Sequence, residues 1–236
     1  MMEKKDLKIK NTINSKKIAK NTLMLYFRHI LIMLVSLYTV RVVLNTLGVE
    51  DYGIYNVVGG VVALFSFFNS TMASASQRFF SFAIGENDPI LLEKTFAVNW
   101  VIYGVIAIIA FILLETIGLW FLNTKLIIPL NRYNAALWIY HLSVLSFLAS
   151  ILSTPFMAMI IAHEDMNIYA YVSIVEALLK LIIVYILTLI SYDKLIIYGI
   201  LIFASTFLTT TIYATISKKR YKECKIQLTW NPKIFK

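Results

Sequence analysis

The chain has one cysteine, Cys224, in 236 residues. That excludes an intramolecular disulfide and any zinc cluster built on cysteines. It also lacks the motifs on which soluble enzyme chemistry depends: there is no G-x-S-x-G elbow, no Walker loop, no H-E-x-x-H and no aspartate-rich metal motif. The segment "HEDMN" at 163–167 matches a metal motif only in fragment and reads better as a turn with helix-capping acids. Nothing therefore points to an enzyme, a cofactor or a bound metal. Without a nucleotide site, any transport must draw on a gradient or on a separate partner.

Charge is the next scarcity. Only 15% of residues are charged and 59% are hydrophobic, with a mean hydropathy of +0.75, whereas globular chains carry about 25% charged and about 45–50% apolar residues. A water-soluble fold of this size has too much surface to hide so much apolar side chain. The net charge of +9 is sorted into patches. Residues 1–20 hold seven lysines, and the stretch from Lys218 to Lys236 holds seven more basic residues. Nucleic-acid binding would need a folded basic surface or interleaved aromatics, and neither is required here.

What is present in quantity is apolar sequence. Measured against the roughly 20 residues that a bilayer span needs, six runs qualify, at about 22–45, 53–76, 97–122, 135–161, 168–190 and 195–217. They lack the alternation of barrel strands, and in lipid a helix is what satisfies its own backbone. The expectation is an all-α, polytopic membrane protein with a basic N-terminal segment (1–20), a six-helix lobe (21–217) and a basic connector (218–236). Six spans put both termini on one side. The inward stretch 77–96 carries Arg78 and Lys94, while the outward loops carry Lys125, Arg132 and Lys194. Sixteen basic residues inside against three outside place both ends in the cytoplasm by the positive-inside rule. The first run is too long for a cleaved signal peptide and ends at Arg41 and Asn45, so it reads as an uncleaved span.

The spans depart from uniform greasiness in informative ways. On the second, Gly59, Ala63, Ser66, Ser70, Ala73 and Gln77 recur at intervals of four and three, a face of small residues that admits close helix packing. On the fourth, Ser143, Ser146, Ser150 and Ser153 form a similar stripe ahead of Pro155, which removes a backbone donor and can bend the helix. Packing is the first reading of both stripes, and lining a polar cavity is the competing one.

Charges within spans cost a few kcal/mol each at the bilayer centre. Counted from the span ends at about 1.5 Å per residue, Arg28 and Glu176 lie roughly 9–12 Å in from the cytoplasmic ends of the first and fifth spans, with Lys180 nearer the midplane. Glu176 and Lys180 have the favourable i, i+4 order for an ion pair, and Tyr169 and Ser173 extend the same face. Arg41, Glu115 and His141 gather towards the outer end. The inner cavity candidates are thus Arg28, Arg78, Glu176 and Lys180, and the outer ones Arg41, Glu115 and His141. Thirteen residues separate Arg28 from Arg41, which turns them about 140° apart, so only one is expected to face a given cavity. Snorkelling to the two interfaces competes with a cavity role for Arg41 and, less strongly, for Arg28, and His29 and His141 have no carboxylate at helix-neighbour spacing.

The first outward link carries the pattern L-G-x-E-D-Y-G-x-Y, formed by Leu47, Gly48, Glu50, Asp51, Tyr52, Gly53 and Tyr55. Together with "ETIGLWFLNTKLIIP" and "NIYAYVSIVEALLKLIIVY", this resembles the polysaccharide or O-antigen flippases of the multidrug/oligosaccharidyl-lipid/polysaccharide exporter superfamily, in the form common in gut Bacteroidota, over residues 20–225. The resemblance implies one lobe of a MATE-like, two-lobe transporter of the inner membrane, working by alternating access. The second lobe is expected after the connector "WNPKIFK", and a homodimer partner is the other way to complete it. The implied cargo is an undecaprenyl-pyrophosphate-linked oligosaccharide, for which arginines would provide phosphate recognition. Two alternatives stay open: a multidrug or organic-cation antiporter using Glu115 or Glu176 as the coupled acid, and an inactive fragment or scaffold in glycan assembly. In the link itself, Gly48 and Gly53 are expected to allow the turn, and Glu50 and Asp51 to keep its tip in water.

Overall fold

The computed structural model describes the backbone of residues 2–224 and the side chains of residues 19–224 other than Phe68. Over that range the chain is helical: α1 (Met2–Ala63), α2 (Ser66–Gly85), α3 (Pro89–Leu113), a π-helical turn (Leu114–Gly118), α4 (Leu119–Lys125), α5 (Tyr133–Ala162), α6 (Met166–Leu189) and α7 (Lys194–Arg220). Five helical stretches are long and apolar enough to cross a bilayer, as in a multi-pass membrane protein: Ala19–Ala63, Pro89–Lys125, Tyr133–Ala162, Met166–Leu189 and Lys194–Arg220.

The first of the five is broken. At Gly48 the backbone leaves the helical region with φ 81° and ψ 168°, a conformation glycine reaches without the steric cost a Cβ would bring. Before this break the first limb of α1 runs beside α6, with Val43 packed among Ile183, Val184 and Leu187. After it the second limb returns through the molecule. Tyr55 meets the ring of Tyr198 edge-on at 4.9 Å, Val62 joins the core around Tyr103 and Phe147, and Phe80 on α2 reaches Phe96 and Phe156. The second limb and α2 thus form a sixth pass, interrupted at Leu64 and Phe65. The turn is tighter than expected: one residue breaks the helix, and Gly53 is helical.

The turn between the second and third passes is also shorter than the stretch 77–96. α2 continues to Gly85, so that Arg78 sits on a helix, and α3 begins at Pro89. Asn87, at φ 55°, turns the chain, and the Asp88 carboxylate caps α3 by accepting from the backbone N–H groups of Ile90 and Leu91. Proline at the first helical position completes that start. α5 runs unbroken through Pro155 and is the central helix, in contact with α1, α2, α3, α6 and α7. The basic segment at the N-terminus is helical from Met2 and continuous with α1, and Lys218–Arg220 extend α7. The rest of the expected connector beyond Cys224 lies outside the described residues.

Two ionic clusters mark the two ends of the bundle. At one end, Arg132 ahead of α5 bonds Asp51 and Asp193. At the other, Arg220 bonds Asp165, and the Asn21 side-chain amide reaches the Glu164 carbonyl. The start of the first pass and the end of the last therefore lie at the same end.

Candidate functional site

The site is built up from one face of α6. Tyr169, Ser173, Glu176 and Lys180 follow each other at helical spacing, and the Lys180 ammonium donates to Glu176 at 2.8 Å. From the first limb of α1, the Arg28 guanidinium lies over the Tyr169 ring, 4.2 Å from its centroid, a cation–π contact. The Arg28 Nε is buried and has no hydrogen-bond partner among the described residues. A buried charged donor left unmatched is costly, and this one lies beside open space.

That space comprises three hollows of about 290, 510 and 170 Å³. Glu176 lines all three, Arg28 lines the first and third, and Lys180 the first. The largest is walled on α5 by Ser143, Ser146 and Ser150, and on the returning pass by Gly59, Gly60 and Ser66. The third adds Ser153 of α5 with Thr209 and Thr210 of α7. The α5 stripe thus faces a polar cavity along its length, and the other stripe does so at Gly59, Ala63 and Ser66, while Ala73 is buried. Gly59 and Gly60 border open space, since a Cβ at either would meet nothing within 4 Å.

The remaining candidates lie elsewhere. Arg78 is exposed and borders a separate hollow with Phe79, Phe82 and Leu91. Arg41 is exposed, as its rotation away from Arg28 demands, and has no ion pair among the described residues. Glu115 and His141 meet each other instead, Nδ1 to Oε1 at 3.1 Å between the π-helical turn and α5. The carboxylate missing from the histidine's own helix is supplied by a neighbouring one. Glu115 sits in the π-helical turn, whose Leu114 carbonyl accepts a hydrogen bond from the Tyr140 hydroxyl. A methyl group at Gly118 would collide with that hydroxyl, so the glycine admits Tyr140 against the turn.

No family model, curated protein or solved structure matches the chain.

Several residues that organise the molecule are not among the candidates. Asp51 is gripped by Arg132 through Nε, at 2.7 Å, and Nη2, while Nη1 donates to Asp193 at 2.9 Å. Hydrogen bonding to Asp51 raises the Arg132 pKa above its ordinary value, against the opposing pull of burial. The available signal was that Asp51, Arg132 and Asp193 all belong to links on one side. At the other end "HEDMN" does turn the chain, but the Asp165 side chain caps nothing. It accepts from Arg220 at 2.9 Å and from the Tyr221 hydroxyl at 2.6 Å, and His163 stacks on Tyr221 with ring centroids 4.2 Å apart. Burial tends to raise the Asp165 pKa, but donation by Tyr221 and Arg220 outweighs it and holds the carboxyl low. Burial lowers His163 and pushes the Cys224 thiol up to about 12. Among the described residues no three His, Cys, Asp or Glu side chains are grouped to hold a metal ion.

Proposed function

We propose that the chain is one lobe of an inner-membrane transporter that moves an undecaprenyl-pyrophosphate-linked oligosaccharide from the cytoplasmic to the periplasmic leaflet by alternating access, with both termini cytoplasmic. The observation that carries this reading is the Arg28 Nε, buried and unmatched beside a polar cavity within a bundle of apolar helices. A hydrated, anionic headgroup must cross about 30 Å of hydrocarbon. Hydroxyl-rich walls replace some of its water, and an arginine offers phosphate oxygens directional, charged donors. On this reading a second lobe or a second copy of the chain would complete the chamber.

A cation-carrying antiporter is the second reading, and Glu176 favours it by lining all three hollows. The sign of the cargo separates the two. The test is complementation of a strain lacking its own glycan flippase by the gene encoding this chain and by its Arg28→Ala, Arg41→Ala and Glu176→Gln variants. The flippase reading expects surface glycan to be lost with Arg28→Ala and retained with Arg41→Ala. Full glycan with Arg28→Ala would overturn the arginine's role. Failure of the unaltered gene, together with organic-cation efflux abolished by Glu176→Gln, would favour the antiporter.

A further inference from the structure

A fifth hollow, of about 260 Å³, lies on the far side of the returning pass, between α2, α3 and α5. Its walls include Met72, Ile106, Ile109, Phe147 and Ile151. Asn69 and Tyr103 also border it, but their polar groups are engaged elsewhere: the Asn69 amide with Ser150 and Thr154, and the Tyr103 hydroxyl with Ser76. Such a space gives water no partners, and apolar cavities stay dry. A void of about 150 Å³ already takes a benzene ring, so this one is large enough for a stretch of hydrocarbon. Ile109, half exposed, stands at its mouth towards the bilayer side of α3.

The hollow adjoins the polar cavity. Phe147 lines both and meets Phe65 edge-on at 6.4 Å. Asn69, on the apolar side, donates to Ser150, which lines the polar side. The partition also falls where the returning pass is broken: Phe65 N–H bonds the Val62 carbonyl, and α2 restarts at Ser66. A ring at a helix interruption can swing with less disturbance to the helical ladder than one in mid-helix.

We infer that this hollow holds part of the hydrocarbon chain of the molecule whose polar end occupies the cavity around Arg28 and Glu176, with the Phe65–Phe147 pair as the movable partition between them. The inference rests on the transport reading above. Its occupant is the chain of the cavity's own ligand because the two spaces meet at one side chain and one hydrogen bond. Methylenes there regain the dispersion contacts that an empty void forfeits.

The test uses the full protein in nanodiscs and two photoreactive probes, an isoprenyl pyrophosphate and a phosphatidylglycerol, each with a diazirine in its chain. Labelled peptides are mapped by mass spectrometry, and retention of the isoprenyl pyrophosphate is measured separately. Retention is expected, weakened by Arg28→Ala, with labels at 65–72, 106–113 and 147–151. Ile109→Trp or Leu113→Trp, which plug the mouth from its outer side, should cut that labelling about tenfold, as expected when contact with a couple of methylenes is lost. If the probe is retained but labels only the outer face of the first limb of α1, the inference fails and the transport reading stands. Labelling by phosphatidylglycerol that isoprenyl pyrophosphate does not displace assigns the hollow to bilayer lipid and also overturns it. No retention of isoprenyl pyrophosphate would sink both.

Discussion

Arg132 closes on both oxygens of the Asp51 carboxylate and reaches Asp193 with its remaining terminal nitrogen. Three helix starts are thereby joined at one guanidinium: the returning limb after Gly48, α5 and α7. Asp193 has a second task, since it also accepts from the N–H groups of Leu195 and Ile196 at the start of α7. The planar fork matches a carboxylate as a lysine ammonium cannot. Arg132→Ala should lower the melting temperature of the purified protein, at a cost of about 1.5–3 kcal/mol for charge-assisted bonds in a partly exposed site. Arg132→Lys should recover only part of that loss. A thermal melt in which Arg132→Lys matches the unaltered protein would contradict the bidentate role.

The cluster at the other end should respond to acid. Asp165 is held below its ordinary pKa in the fold, so its stabilisation is complete above the unfolded value and is lost as pH falls through the lowered folded value, below about pH 4. His163 is also lowered. The unfolded chain therefore binds its proton first, and stability begins to fall as pH drops below about 6.5. Protection factors of the amides at 162–168 and 217–224, with the intrinsic pH dependence of exchange divided out, should fall in two stages on acidification. His163→Phe should remove the upper stage and leave the lower one, and an unchanged profile would refute the assignment.

The π-helical turn permits a paired test. Gly118→Ala drives a methyl group into the Tyr140 hydroxyl, and overpacking of this kind costs about 1–3 kcal/mol. Tyr140→Phe removes the obstructing oxygen, while the Leu114 carbonyl keeps its backbone bond from Leu119. The double variant should thus be more stable than the sum of the two single losses implies. Additive losses in a double-mutant cycle would show that Gly118 serves something other than the approach of Tyr140.

The passes themselves are readable because hydropathy and length decide them. The expected spans 135–161, 168–190 and 195–217 lie within or one residue beyond Tyr133–Ala162, Met166–Leu189 and Lys194–Arg220, and the φ of Gly48 follows from its lack of a side chain. The second pass is less legible, since Gln77 and Arg78 end its apolar run while the helix continues to Gly85. Depth along a span follows from counting residues, but the direction a side chain faces depends on which helix lies alongside. Depth therefore grouped Arg78 with Arg28 and Arg41 with Glu115, and packing separates both pairs. Thr206, Thr209 and Thr210 show a helical spacing of three and four in the sequence, yet what they line is decided by α5 and α6.

Gly60 offers a way to separate the openness of the cavity from the stability of the fold. It is exposed, it lines the large polar hollow, and an added Cβ there would touch nothing. Within the returning limb of α1 its backbone is helical, where glycine costs about 0.5–1 kcal/mol relative to alanine. Gly60→Ala should accordingly raise the melting temperature slightly and leave the cavity passable. Gly60→Trp places a large ring in the same open space, so it should fold yet block whatever enters between α5 and the returning limb. Glycan complementation falling with tryptophan but not with alanine, at comparable membrane abundance, is the expected outcome. Full activity of Gly60→Trp would mean that the cargo does not pass through this hollow.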